Sequence, residues 1–377
     1  MTKEHLHNFL FLKFMLNKEL DELLISVTLR FLALSMIAIF IPIYLLHELH
    51  FSLQQVIYFF IVLSIFFSLF SIVGAKIASK IGFKHAILLS VPFQIAFFWL
   101  LYNLSNNSSL YLLSAAIEGM GIGIYWISHH TNFAKYSVKK KRGEELGILN
   151  LVATIAAIIG PLIGGIILKY FGFFTLFSIV SIILVLSTVP LFFSKEFHEK
   201  SSFSLKYIFK KEHFKDAAAY TARGAELIAA SVVWPIFIFS ILKGYFSLGL
   251  VVTITGLFTS LLSVYIGKLS DKIGKRKFIR LGTLLDSSTW LIRGFSATVF
   301  QVYLINIATG LTSIFFLPFD ALTYSKANRG KRVEYLVFRE IFLGLGRVVI
   351  LLVFLLTSSY FATFVVTGLA EFLFLLF

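Results

Sequence analysis

The sequence contains no cysteine, which excludes disulfides, thiolate metal sites and thiol nucleophiles and leaves cysteine usage silent on redox compartment. Charge is scarce too. Only 14% of the 377 residues are charged and 58% are hydrophobic, whereas a soluble surface needs about a quarter charged. Several motifs are missing. There is no G-x-x-x-x-G-K-[ST] loop and no polar segment long enough for an ATPase domain, so transport driven directly by ATP is not expected. No H-E-x-x-H or G-x-S-x-G occurs, which argues against a membrane-embedded protease or lipid transferase. A cleavable signal peptide is not expected either. Lys3, Glu4, Lys13, Lys18 and Glu19 interrupt the first stretch, and no small-residue cleavage site follows the first apolar run.

What the sequence does have is apolar blocks of about 20 residues, long enough to cross a hydrocarbon core of about 30 Å. They fall near 22–46, 53–75, 83–103, 109–134, 145–169, 172–193, 217–242, 246–267, 277–296, 299–325, 333–357 and 359–377. The expected fold class is therefore an all-α polytopic membrane protein with twelve transmembrane helices. Residues 1–193 would form one six-helix half, 194–215 a lysine-rich linker and 216–377 the second half. The chain ends at Phe377 inside its last apolar run without a basic tail, the pattern expected of a truncated sequence.

The net charge of +15 would fit a nucleic-acid partner if it were gathered on one surface, but it is spread over short loops, so none is expected. Lys76, Lys80 and Lys84, the run Lys139 to Arg142, the linker lysines, Lys268 to Arg280, and Lys326 to Arg332 alternate to one side. The opposite loops hold only Lys169 and Lys243. Basic loops stay cytoplasmic. This places both termini and the linker in the cytoplasm and the protein in the cell membrane.

The two halves repeat. Arg30 and Pro42 recur as Arg223 and Pro235 with equal spacing, and Ala75-Lys-Ile-Ala-Ser-Lys-Ile-Gly82 aligns with Gly267-Lys-Leu-Ser-Asp-Lys-Ile-Gly274. Parallel repeats of six helices mark transporters that bind solute between their halves.

The segment Gly267, Leu269, Asp271, Gly274, Arg276 and Lys277 resembles the cytoplasmic loop signature of the major facilitator superfamily, G-x-L-x-D-x-x-G-x-R-K. Its place between the second and third helices of a half matches as well. The resemblance implies a fold of two pseudo-symmetric six-helix bundles and a gating role for this loop. Glycines there allow close helix contact, and the aspartate can pair with basic groups or a facing helix N-terminus. The copy in the first half departs from the signature, with Ala75 and Ser79 where Gly and Asp are expected. Gly160, Pro161, Gly164 and Gly165 in the fifth helix resemble the GPxxGG core found in the family's antiporters, although Ala156 stands where the longer signature has Gly. A bend at Pro161 and ordinary small-residue packing are both readings of that segment.

Ionisable groups inside spans are costly and usually face a cavity or a partner. Arg30 lies about 12 Å into the first helix at about 1.5 Å per residue. The first and seventh helices line the central cavity in the family, so Arg30 and its repeat mate Arg223 are candidates for an anionic group. Glu226, one turn on, could instead simply pair with Arg223. Glu118 is the proton-carrier candidate: burial favours the neutral carboxyl, a nearby arginine the ionised one, and movement can switch between them. Glu118, Tyr125, His129 and Asn132 share a helix face. His129 and His130 lack a third ligand, so no metal is expected, and no cofactor. Asp320 is a second carrier candidate or a cap, and Arg347 on the face of Glu340 a further cavity candidate. Asp286, Trp290 and Arg293 read as a structural group, and so does Glu371.

These features point to a secondary transporter moving a small-molecule substrate with a proton or other coupling ion in the lipid bilayer, as a monomer and without enzymatic activity. Export by proton antiport leads. Uptake of a small organic anion follows, and a non-transporting sensor with the same fold is the third reading.

Overall fold

The computed structural model describes residues 18–136, 142–193, 196, 198, 199, 213–273, 275–329 and 331–377, and these are helices and short connections throughout. Helix α1 (Lys18–Ser35) continues through a 3-10 turn (Ala38–Phe40), one turn at Ile41–Ile43 and a π turn (Tyr44–Glu48). Then come α2 (Leu53–Ile81), α3 (Phe83–Asn103), α4 (Tyr111–Tyr136) and α5 (Arg142–Leu186). Beyond the lysine-rich stretch follow α6 (Phe214–Ile228), a π turn (Ala229–Val233) and α7 (Trp234–Leu242). The remainder is α8 (Tyr245–Ile273), α9 (Lys275–Arg293), α10 (Val299–Thr312), α11 (Leu317–Ala327), α12 (Arg332–Thr357) and α13 (Tyr360–Glu371).

Local chemistry sets several boundaries. Ser52 opens α2 and Thr298 opens α10 with reciprocal caps to Gln55 and Gln301, satisfying backbone N–H groups that the first turn leaves free. Gly82 parts α2 from α3 at a φ of 96°, open to glycine at no steric cost. The expected boundary between the fifth and sixth blocks falls at Gly172, where φ is 75° inside the otherwise continuous α5. Helicity runs on through Pro161, so the departure from helical dihedrals within α5 lies at Gly172. The expected block at 299–325 is interrupted by a 3-10 turn at Ser313–Phe316 between α10 and α11.

Among the described residues, seven stretches are long and apolar enough to cross a membrane: 21–48, 53–81, 83–103, 108–136, 154–192, 214–242 and 332–357. Their outer faces carry bulky apolar groups such as Trp99, Ile182 and Leu356, exposed where water would penalise them and lipid does not. Polar groups go the other way. Arg30, Gln94, His129, Asp286, Arg293, Glu340 and Glu371 are each buried.

The apolar core divides into two clusters. One gathers Ala33, Phe40, Tyr44, Phe97, Phe177, Ile228, Trp234 and Ile350, the other Val27, Ala78, Phe83, Ile124, Tyr220, Phe319 and Phe338. Arg30, Glu118, Arg223, Asp286 and Arg347 each fall in the chain between a residue of one cluster and a residue of the other. A polar layer thus crosses the bundle between two apolar ones. Helices before and after the lysine-rich stretch meet along α5 with α8 and along α2 with α12.

Candidate functional site

Arg30 is the deepest charge in α1, 1% exposed. Its Nη2 donates to Gln94 Oε1 on α3, and its guanidinium lies 3.6 Å from the Tyr125 ring centroid on α4. Glu118, two turns before Tyr125 on α4, lies within electrostatic reach of Arg30. Helical spacing places Glu118 and Tyr125 on one face, and Gly119 and Gly123 beside them let α4 press against α2, with Leu63 and Phe67 as neighbours. Three helices therefore hold one constellation.

Its polar groups exceed its internal partners. Arg30 Nε and Nη1, Gln94 Nε2, Glu118 Oε2 and the Tyr125 hydroxyl are buried without a hydrogen-bond partner. Native interiors seldom tolerate this, because an unpaired buried donor or acceptor forfeits its hydration for nothing. Two donor groups, a carboxylate oxygen and a hydroxyl are left to engage a solute, a water chain or a proton.

The stripe continues along α4. Tyr125 stacks on His129 with centroids 5.6 Å apart and planes 9° apart, and Trp126 stacks on His130 at 5.0 Å. His130 Nδ1 lies 2.5 Å from the Tyr324 hydroxyl on α11, and its Nε2 lies 3.1 Å from Arg339 Nη1 and 3.6 Å from Glu340 on α12. Arg339 also bonds Glu340 and approaches Asp320 at 3.8 Å. Asn132 is buried with Oδ1 unpartnered. The α4 face therefore joins α1, from before the lysine-rich stretch, with α11 and α12, from after it.

The remaining candidates separate from this group. Arg223 is bonded to Glu226 on its own helix, the simpler of the two expected arrangements, and lies 5.4 Å from the Phe316 ring. Arg347 reaches across to α2, 4.3 Å from the Phe67 ring, while Glu340 is taken by Arg339 and His130. Asp320 faces Arg339. Arg276 and Lys277 are exposed at the start of α9. Gly267, Leu269 and Asp271 lie on α8 in a stretch whose side chains are not described, and Gly274 lies outside the described residues. Gly160 and Gly164 face Ser35 at the end of α1 and Met36 just beyond it, and Gly165 faces Tyr245 of α8.

Sequence reasoning missed Gln94, Tyr324 and Arg339. For Gln94 the one available signal was an amide inside an apolar run beside Pro92. It also missed an open aromatic cavity of about 360 Å³ lined by Tyr44, Glu48, Tyr102, Phe173, Phe174 and Tyr245, where the Tyr245 hydroxyl donates to Glu48 at 2.5 Å.

The family model described as Major Facilitator Superfamily matches residues 23–242, more than half of the chain. The chain belongs to the major facilitator superfamily. Relatives within it are distant. "Uncharacterized protein YqgE" of Bacillus subtilis is 25% identical over 300 residues, covering 75% of this chain and 70% of that protein. "Multi-drug resistance efflux pump PmrA homolog" of Lactococcus lactis is 27% identical over 191 residues, with 47% of each chain covered. "Multidrug resistance protein MdtG" of Citrobacter koseri is 25% identical over 270 residues, covering 65% of this chain and 64% of that one. The crystal structure of the superfamily transporter FucP in the outward conformation superposes with a TM-score of 0.67 at 14% identity, over 95% of this chain and 98% of that one. At that identity the likeness speaks for the fold. The superfamily is one of membrane transporters, and this polytopic chain carries its fold.

Proposed function

We propose that the protein exports a small solute across the plasma membrane in exchange for protons, by alternating access. In this reading twelve helices form two pseudo-symmetric halves, 1–193 and 216–377, joined by a cytoplasmic linker at 194–215, with both termini cytoplasmic and the monomer as the working unit. One observation carries it: Arg30, buried on Gln94 and Tyr125, sits beside a buried Glu118 with an unpartnered oxygen. Glu118 ionises when Arg30 is close and takes up a proton when movement of α1 against α4 separates them. Arg223, Glu226, Asp320 and Arg347 line the remainder of the pathway. The loop from Gly267 to Lys277 latches the cytoplasmic side, and the Gly160–Gly165 segment is the seam on which the halves rock. The efflux named for one relative, and the drug resistance named for another, support the outward direction.

The test uses purified protein in liposomes loaded with a pH-sensitive dye, with organic cations added under an imposed proton gradient. Solute-coupled proton flux that disappears in Glu118→Gln is expected. Coupled flux at the normal rate in that variant refutes the assignment. A second reading, uptake of an organic anion, is favoured by the two unpartnered donor atoms of Arg30. It requires Arg30→Lys to weaken anion transport sharply, because lysine cannot present the planar bidentate fork.

A further inference from the structure

The stretch that continues α1 closes in a π turn, Tyr44–Glu48, in which the Leu49 amide donates to the Tyr44 carbonyl at 3.0 Å. Such turns are rare and frequent at functional sites. This one sets Tyr44 and Glu48 on the open cavity of about 360 Å³. The other walls come from three helices. Tyr102 lies at the end of α3, Phe173 and Phe174 just after the break in α5, and Tyr245 at the start of α8. The break supplies the room: Gly172 lines the cavity at a φ of 75°, and a Cβ there would meet nothing within 4 Å. The cavity sits at the far end of α3 from Lys84, away from the basic loops.

Its rings pack in two groups. Phe173 lies 4.4 Å from Tyr44 and 5.6 Å from Tyr245 between centroids, and Tyr102 lies 5.0 Å from Phe174. Aromatic faces are electron-rich and attract cations. Among the residues lining the cavity Glu48 alone carries a charge. The Tyr245 hydroxyl takes Oε1 at 2.5 Å, but a carboxylate has acceptor capacity for several donors and keeps its negative charge. Neighbouring basic groups are engaged elsewhere. The Lys169 ammonium lies over Tyr170 at 5.1 Å and Phe246 at 5.9 Å, neither of which lines the cavity, and His47 packs on Phe239 at 4.9 Å. Aromatic rings near a membrane surface also serve as anchors. Anchoring, however, calls neither for a concave wall nor for a carboxylate among the rings. A solute with positive charge and apolar surface gains from both features, whereas an anion is repelled by both.

We propose that this cavity is a binding site for an organic ammonium ion, held by the Glu48 carboxylate and the faces of Tyr102 and its aromatic neighbours. It is separate from the Arg30–Glu118 constellation, no member of which lines it. Along the first span Arg30 precedes Tyr44 by a distance of about 20 Å at about 1.5 Å per residue. Binding here goes beyond the export reading and stands without it. Within that reading the cavity is on the outer side, where an exported cation would leave.

The test is a saturation-transfer NMR titration of tetraethylammonium on the full chain in non-ionic detergent, with empty micelles as the control. Saturable binding is expected. Glu48→Gln should weaken it about fivefold, the upper range for an exposed charge pair, and Tyr102→Leu about as much through the lost ring face. Glu48 and Tyr102 are both exposed, so thermal unfolding should be unchanged in these variants. Glu118→Gln should bind as the unaltered protein does, whatever its proton flux, so the two proposals fail separately. No saturable signal from the unaltered protein overturns the site. Full affinity in both Glu48→Gln and Tyr102→Leu overturns it too, as does loss of binding in Glu118→Gln.

Discussion

Replacing Gly119 or Gly123 with alanine should force α4 away from α2 and weaken the protein. A Cβ on Gly119 would lie 2.5 Å from the Leu63 carbonyl oxygen, and one on Gly123 would lie 2.6 Å from that of Phe67. Ordinary van der Waals contact begins at 3.4 Å, so the helices must part by about 0.9 Å or 0.8 Å respectively. The obstacle is backbone on a neighbouring helix, which cannot rotate aside. A radial gap of about 0.5–1 Å forfeits a quarter to a half of the dispersion energy of each pair it opens. Overpacking of this kind costs about 1–3 kcal/mol. Because one displacement makes room for both methyl groups, the double variant should cost well under the sum of the singles. The same displacement carries Glu118 and Tyr125 away from Arg30, so coupled transport should fall in step with stability. Thermal unfolding of the detergent-solubilised protein measures the first effect and liposome flux the second. Unchanged melting in the single variants, or strictly additive losses in the double, would refute the reasoning.

Two further outcomes follow from buried polar contacts. Gln94→Leu leaves the Arg30 guanidinium without its acceptor and should cost about 1.5–3 kcal/mol in thermal unfolding, the range for a hydrogen bond to a charged group; no loss would mean that Arg30 finds another partner. Lys84 and Glu22 pair at 3.1 Å with both side chains buried, so Lys84→Met alone should cost about 3–5 kcal/mol, while Lys84→Met with Glu22→Leu should recover most of it; equal losses in the two variants would refute the pairing.

Much of the fold was legible because lipid imposes a simple grammar: apolar blocks of sufficient length, with punctuation between them. The expected break between the blocks 145–169 and 172–193 has its counterpart in the non-helical dihedrals of Gly172, whose φ of 75° suits glycine. The Arg223–Glu226 bond was legible for a related reason, as residues three apart on a helix are neighbours. Contacts across helices were not. Nothing in local spacing tells that Gln94 of α3 meets Arg30 of α1, or that His130 of α4 meets Tyr324 of α11. Arg347 shared a face with Glu340 in the sequence, yet it extends to Phe67 while Arg339 takes the carboxylate, because the choice between two nearby arginines depends on which helix lies opposite. Glu371 read as structural, and it lies wholly buried with neither carboxylate oxygen hydrogen-bonded.

The seam along α5 has a mechanical consequence. Gly160, Gly164 and Gly165 meet α1 and the start of α8, and Gly249 of α8 meets the backbone at Pro161 in return. Where helices interlock through large side chains, turning one against the other means extracting each side chain from its socket. Here backbone meets backbone at Gly164, Gly165 and Gly249, and the small Ser35 side chain meets Gly160. Such a joint behaves as a plain bearing: it keeps the helices at a fixed distance while offering little resistance to a small rotation. Adding even one methyl group would turn the bearing into a ratchet tooth, and the cost would appear in the speed of turnover before it appeared in the affinity for whatever is carried.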